Sequence, residues 1–244
     1  MHWYTTEGVP RYEVPRSSGK GTRATTLADA KKLKLVPSVT TVLTIAAKPM
    51  LERWKTEQAI TAALTNPKLD TEDYTSWLRR IFSLSQEKSK VAADVGTYIH
   101  NNLESYYLNE PIDEDIRHII EPTIEIISEN FPKLKLNPEV SFASERGFGG
   151  KIDISGKNVI LDFKTKDKET VDSSLVYEEH IMQLAAYRIG LKMPRARCFN
   201  IFISTRNGTG YLHEHTQEEL KRGEKMFLHL LEYWKLLNNH ESGF

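Results

Sequence analysis

The spacing of hydrophobic positions changes period along the chain. Between Ser85 and Leu108, Val91, Val95, Tyr98, Ile99, Leu103 and Tyr107 recur at helical intervals and predict a long helix with one apolar stripe. Gly96, His100 and Glu104 stand four residues apart and share a second face of it. Another helix is predicted over 113–130, ending before Phe131-Pro132. The pattern then becomes strand-like. Residues 139–143, 149–154 and 159–164 predict strands, with Ser155-Gly156-Lys157-Asn158 as a hairpin turn between the last two. Helical spacing returns over 177–191. Strands follow at 200–205 and 210–215, joined by the turn Arg206-Asn207-Gly208-Thr209. The last element is a helix over 217–238 with Leu220, Phe227, Leu230, Leu231 and Trp234 on its apolar face.

The first part of the chain is harder to read. Residues 1–36 are rich in Gly, Pro, Ser, Thr and Arg and predict an irregular basic segment, with at most a short hairpin near Trp3 to Tyr12. Ser38 or Thr40 can cap a helix start. Leu51, Trp54, Ala59, Ala62 and Ala63 fit a helix that ends at Asn66-Pro67, and Asp70 to Trp77 predicts a cap and short helix. Helices, a three-strand meander, a helix, two strands and a helix make an α/β or α+β fold. A mixed central sheet flanked by helices is expected, in one domain over 1–244.

Composition narrows the function classes. Lys plus Arg and Asp plus Glu both number 33, so the 244 residues carry no formal net charge. No apolar run reaches the ~18 residues of a membrane span, and Met1 to Glu7 lacks the signature of a secretory signal. A single cysteine, Cys198, excludes an internal disulfide and an iron–sulfur cluster held by four cysteines. A cytoplasmic protein is expected. The neutral total hides a segregation. Arg11 to Lys34 holds seven basic residues against two acidic ones, and Lys192 to Arg206 holds four against none. Such stretches either neutralise phosphates or are solvated loop charges.

The informative stretch is Gly150-Lys151-Ile152-Asp153, nine residues before Asp162-Phe163-Lys164-Thr165. Alternation in the later strand sets Asp162 and Lys164 on one face and Phe163 on the other. The hairpin brings Asp153 near. Two carboxylates at one point need neutralising. A hard divalent cation does this, and a lysine beside it stabilises an anionic transition state. A Lys–Asp pair on an exposed hairpin is the bland alternative.

These motifs resemble the PD-(D/E)XK nuclease superfamily, and within it the RecB-like exonuclease branch. Gly150–Asp153 and Asp162–Thr165 match the two catalytic strands. Gly96-Thr97-Tyr98-Ile99-His100 matches an upstream helix, and Gln183-Leu184-Ala185-Ala186-Tyr187 a downstream one. The segments Pro37–Leu43 and Leu51–Lys55 also resemble the mitochondrial genome-maintenance exonucleases, over roughly four-fifths of the chain. No transit peptide is legible, so a bacterial or phage form is expected.

The resemblance implies a restriction-endonuclease-like core and a DNA exonuclease that hydrolyses phosphodiester bonds with water activated by Mg²⁺ or Mn²⁺, without an iron–sulfur cluster. Single strands or free ends are the implied DNA partner. Asp153, Asp162 and Lys164 are the implied catalytic residues. His100, Asp153, Asp162, the Phe163 carbonyl and Glu139 are the implied metal ligands; Glu104, one turn beyond His100, either orients it or faces solvent. Gln183 and Tyr187 are the implied DNA contacts, and Ser38, Thr40 and Thr41 either bind DNA phosphates at a helix N-terminus or simply cap the helix. Trp54, Tyr74 and Trp77 are candidates for base stacking. Lys48, Arg53, Lys166 and Arg206 are candidates for the DNA backbone. A duplex-end-resecting exonuclease, an endonuclease and a catalytically silent DNA clamp are the alternatives.

Overall fold

A computed structural model describes residues 1–241 and 244 of the chain. Contacts divide it into two compact units, one formed by Met1–Ala46 with His100–Phe244 and the other by Ala47–Ile99.

The N-terminal stretch is more ordered than its composition suggests. Strand β1 (Trp3–Tyr4) is followed by a hairpin of β2 (Glu13–Pro15) and β3 (Thr22–Ala24), then helix α1 (Leu27–Leu33), strand β4 (Val36–Pro37) and helix α2 (Val39–Leu43). Strand β1 pairs with β4, Trp3 opposite Pro37, a partner too distant in sequence for local periodicity to show. A tight antiparallel turn forms near Trp3 to Tyr12 as expected, with Tyr4 bridged to Pro10 and the Arg11 N–H donating to the Trp3 carbonyl at 2.7 Å, and a second hairpin follows at Glu13–Ala24. A capping box starts α1. The Thr26 hydroxyl accepts the Asp29 N–H at 3.3 Å, and the Asp29 carboxylate accepts the Thr26 N–H at 2.9 Å. The Trp3 ring is fully buried, donates its indole N–H to the Thr25 carbonyl at 3.2 Å and lies 5.9 Å from the Trp234 ring.

The second unit contains α3 (Pro49–Thr65) and α4 (Tyr74–Leu108) as far as Ile99. Proline opens α3 at its first turn, where no backbone donor is lost. The connection to α4 is tied by the Trp77 indole N–H, which donates to the Asn66 carbonyl at 2.9 Å, and by Arg80 on Glu72 at 2.8 Å. Asp73 caps α4 by accepting the Ser76 N–H at 3.0 Å. The helix then runs unbroken for 35 residues. The short helix expected over 70–77 and the long one expected from Ser85 are therefore one element. No Gly or Pro interrupts the run Leu78–Leu84 between them. Val91 and Val95, expected on the apolar stripe, are 61% and 36% exposed, while Leu103 is buried.

The rest of the first unit carries the main sheet. A 3₁₀ turn and α5 (Arg117–Asn130) replace the single helix expected from residue 113. Strands β5 (Asn137–Ser144), β6 (Phe148–Gly156) and β7 (Val159–Lys166) form an antiparallel meander. Helix α6 (Glu178–Gly190) crosses to β8 (Arg197–Ser204), which pairs parallel with β7. Strand β9 (Gly210–His215) returns antiparallel, and α7 (Gln217–Asn238) ends the fold. The sheet is mixed α/β in character, in the order β5-β6-β7-β8-β9. Leu184, Phe227, Leu231 and Trp234 of α6 and α7 pack with Phe148, Ile152 and Ile160, each large side chain contributing about 1.5–3 kcal/mol by burial. Phe199, of opposite parity on β8, meets Phe131 at the end of α5, with ring centroids 5.1 Å apart. Helices thus cover the sheet on both faces. No helix among the described residues is long and apolar enough to cross a membrane.

Candidate active site

The site forms where two strands part. The registered pairs of β6 with β7 end at Ile154 opposite Leu161. Beyond them the Asp153 carboxylate takes the place of a backbone partner. Its Oδ2 accepts the Phe163 N–H at 2.7 Å. The Phe163 carbonyl leaves β7 on that same edge. One residue earlier, Asp162 turns to the other face and lies under α6. Its Oδ1 accepts the Gln183 side-chain N–H at 2.9 Å, and its Oδ2 meets Lys164 Nζ at 2.5 Å. Lys164 also donates to Gln183 Oε1 at 3.1 Å, and Gln183 Nε2 reaches the Tyr187 hydroxyl at 2.7 Å. Spacing by one helical turn on α6 thus puts Gln183 and Tyr187 in a single network over β7. His100 approaches from the other side, with Nδ1 3.4 Å from Asp153 Oδ1 and its ring edge-on to Phe163.

Electrostatics separate the two carboxylates. For Asp162, burial is the largest influence and Asp153 adds to it. Together they outweigh Lys164 and His100, and the carboxyl is raised above its ordinary value. Burial also opposes ionisation of Asp153, but His100, Lys164 and the Phe163 N–H outweigh it and hold that carboxyl low. Burial works to lower the His100 imidazole, yet Asp153 prevails and raises it. The Tyr187 phenol is held protonated by burial and by both carboxylates. A buried carboxylate that resists ionisation is short of positive charge. Two carboxylates, an imidazole and a backbone carbonyl are suitable donors for a hard divalent cation. Among the described residues no three His, Cys, Asp or Glu side chains form a ready cage.

The other expected residues are distributed unevenly. Glu139 sits on β5 between the pairs Pro138–Ile154 and Val140–Ile152, across from Asp153, but its carboxylate is engaged by Lys151. Glu104 is half-exposed on α4. The Ser38 hydroxyl is buried and spent as the cap of α2, accepting the Thr41 N–H at 2.9 Å, with Thr40 exposed beside it. A parallel bridge to Gly149 sets Ser38 beside the start of β6. Trp54, Tyr74, Trp77, Lys48 and Arg53 belong to the second unit. There Trp54 and Trp77 are half-buried and Tyr74 is exposed.

The expected basic stretch 192–206 is largely neutralised. Lys192 pairs with Glu145, Arg197 with Glu214, and Arg206 with Asp167. Lys166 lies over the Tyr177 ring.

Two residues in the network went unread in the sequence. Asn200, opposite Asp162 on β8, donates to Asp162 Oδ2 at 2.8 Å, and His215 Nε2 lies 2.7 Å from Asn200 Oδ1. A polar residue within the apolar run Cys198-Phe199-Asn200-Ile201-Phe202 was the available signal.

No protein-family model matches the chain. No curated protein matches it. Among solved structures it is similar to SSO0001, at 15% identity and TM-score 0.37, over 79% of this chain and 88% of that one. It is similar to a candidate exonuclease from Eubacterium rectale, at 16% identity and TM-score 0.44, over 61% and 67% of the two chains. It is also similar to an alkaline exonuclease from Laribacter hongkongensis, at 14% identity and TM-score 0.34, over 77% and 96%. Likeness at this level assigns neither reaction nor substrate.

Proposed function

We propose that the chain is a divalent-cation-dependent deoxyribonuclease of the PD-(D/E)XK superfamily, RecB-like branch. The observation that carries this reading is the convergence of His100, Asp153, Asp162, Lys164 and Gln183 at the open end of the β6–β7 hairpin. Asp153 and Asp162, with His100 and the Phe163 carbonyl, would hold the cation. The Glu139 carboxylate, opposite Asp153, would face it once released from Lys151. When bound, a Mg²⁺ or Mn²⁺ ion lowers the pKa of water and offsets charge on a phosphodiester. Lys164 is placed to stabilise the charge that develops on the phosphate, in a partly buried setting where such contacts are strong. Gln183 holds Lys164 and Asp162 in register, and the Tyr187 phenol in turn holds Gln183. None of these roles requires the substrate to be a duplex. Single-stranded DNA with a free end is the preferred substrate, on the strength of the segments Pro37–Leu43 and Leu51–Lys55.

The test uses end-labelled linear single strands, their duplex and a circular single strand, with and without Mg²⁺ or Mn²⁺. Cation-dependent shortening of the linear single strand, with the circle intact, is the expected result. Asp153→Ala and Asp162→Ala should abolish it while keeping the fold. Cutting of the circle would replace the exonuclease with an endonuclease. DNA binding without any cleavage would leave a clamp.

A further inference from the structure

We infer that Asn200, locked by His215, is the residue that positions Asp162 for its cation. The inference rests on the nuclease reading above and adds two residues to its site. Asp162 is held from two sides by unlike partners. Lys164 and Gln183 lie on the open side, and both are long side chains with alternative partners in each other. Asn200 lies on the neighbouring strand, is fully buried and contacts Asp162 along the sheet.

The hydrogen-bond directions are determined one from the next. Asn200 Nδ2 donates to Asp162 Oδ2 at 2.8 Å; the reversed amide would set Oδ1 against the carboxylate. Asn200 Oδ1 therefore accepts, and His215 Nε2, 2.7 Å away, carries the proton. His215 is 1% exposed, and its Nδ1 has no hydrogen-bond partner among the described residues. The imidazole is thus neutral with one defined tautomer. Its one hydrogen bond forbids Asn200 to turn over. Groups of this kind, which orient a ligating carboxylate without touching the ion, commonly govern affinity for it.

The test is calorimetric titration of Mn²⁺ into the full chain, with a thermal melt of each variant. Asn200→Leu and His215→Phe should each weaken Mn²⁺ binding by about 10- to 100-fold. His215→Gln keeps an N–H donor and should restore most of the affinity that His215→Phe loses. A folded Asn200→Leu protein with unchanged affinity overturns the inference. So does His215→Gln as defective as His215→Phe, since that makes the ring's bulk the cause. An independent readout needs no ion: ¹⁵N spectra of the wild-type imidazoles should show His215 protonated at Nε2 and bare at Nδ1. The opposite tautomer overturns the lock even if the variants fail to fold. Wild-type protein that neither binds Mn²⁺ nor cuts DNA overturns the nuclease reading and the cation role together. Wild-type protein that cuts DNA beside an unaffected Asn200→Leu variant overturns the positioning role alone.

Discussion

Acid should weaken this fold through His215, by an amount the structure sets. Burial is the main influence on its imidazole, the nearby His213 adds to it, and Glu219 opposes only partly. The pKa is lowered from 6.5 to about 4. The unfolded chain therefore takes up a proton that the folded chain refuses. Stability from this group is fully present above 6.5 and is lost as pH falls from 6.5 towards 4. At 1.36 kcal/mol per unit the ceiling is about 3 kcal/mol, and about 2.5 kcal/mol of it falls between about pH 7 and about pH 4.5. Urea unfolding followed by tryptophan fluorescence, repeated across that range, measures the loss. Other groups titrate there too, so the comparison is with His215→Gln, which keeps a donor for Asn200 and removes the proton site. The stability curve of the variant should be flatter by about 2.5 kcal/mol over the same range. Parallel curves for the two proteins would falsify the claim that burial keeps His215 neutral.

Three further outcomes are expected. Gly190→Ala would put a methyl group 1.9 Å from Phe142 Cε2; forced repacking of the last turn of α6 should cost about 1–3 kcal/mol, and an unchanged denaturation midpoint would count against the packing described. Lys164→Met should lower the cleavage rate by about 10²-fold or more without weakening Mn²⁺ binding, because it removes a cation already 2.5 Å from Asp162; single-turnover kinetics and calorimetry read the two separately, and a wild-type rate would remove Lys164 from the mechanism. The logarithm of DNA affinity should fall linearly with the logarithm of salt concentration, and a flat response in fluorescence anisotropy would contradict binding through phosphates.

Much of the second half of the fold was legible because its elements follow local rules. The turn at Ser155–Asn158, the alternation in β7 and the apolar face of α7 each predict an element close to the one observed. Asp153, Asp162 and Lys164 are close in sequence and could be read from their spacing, whereas Gln183 was implied only by the resemblance to a family motif. What escaped depends on distant partners. Strand β1 owes its existence to β4, and a two-residue strand has no period of its own. The charges at 192–206 looked free because the acids that pair with Arg197 and Lys192 are far along the chain. Asn200 reaches Asp162, and His215 reaches Asn200, across neighbouring strands, which a linear motif does not express. The capping box at Thr26 and Asp29 was present in the letters and was hidden by their Gly- and Pro-rich surroundings.

The carboxylate that completes the β6–β7 hairpin makes Asp153 a member of two systems at once. It is a rung of the sheet and a charge in the site. A buried N–H stripped of its acceptor is costly, so whatever draws Asp153 towards a cation or a proton is felt in the backbone of β7 at Phe163. The Phe163 amide is therefore a gauge wired into the chemistry. Its hydrogen-exchange rate and chemical shift report how Asp153 is occupied, residue by residue and without any substrate, where the neighbouring amides report only how often the sheet opens.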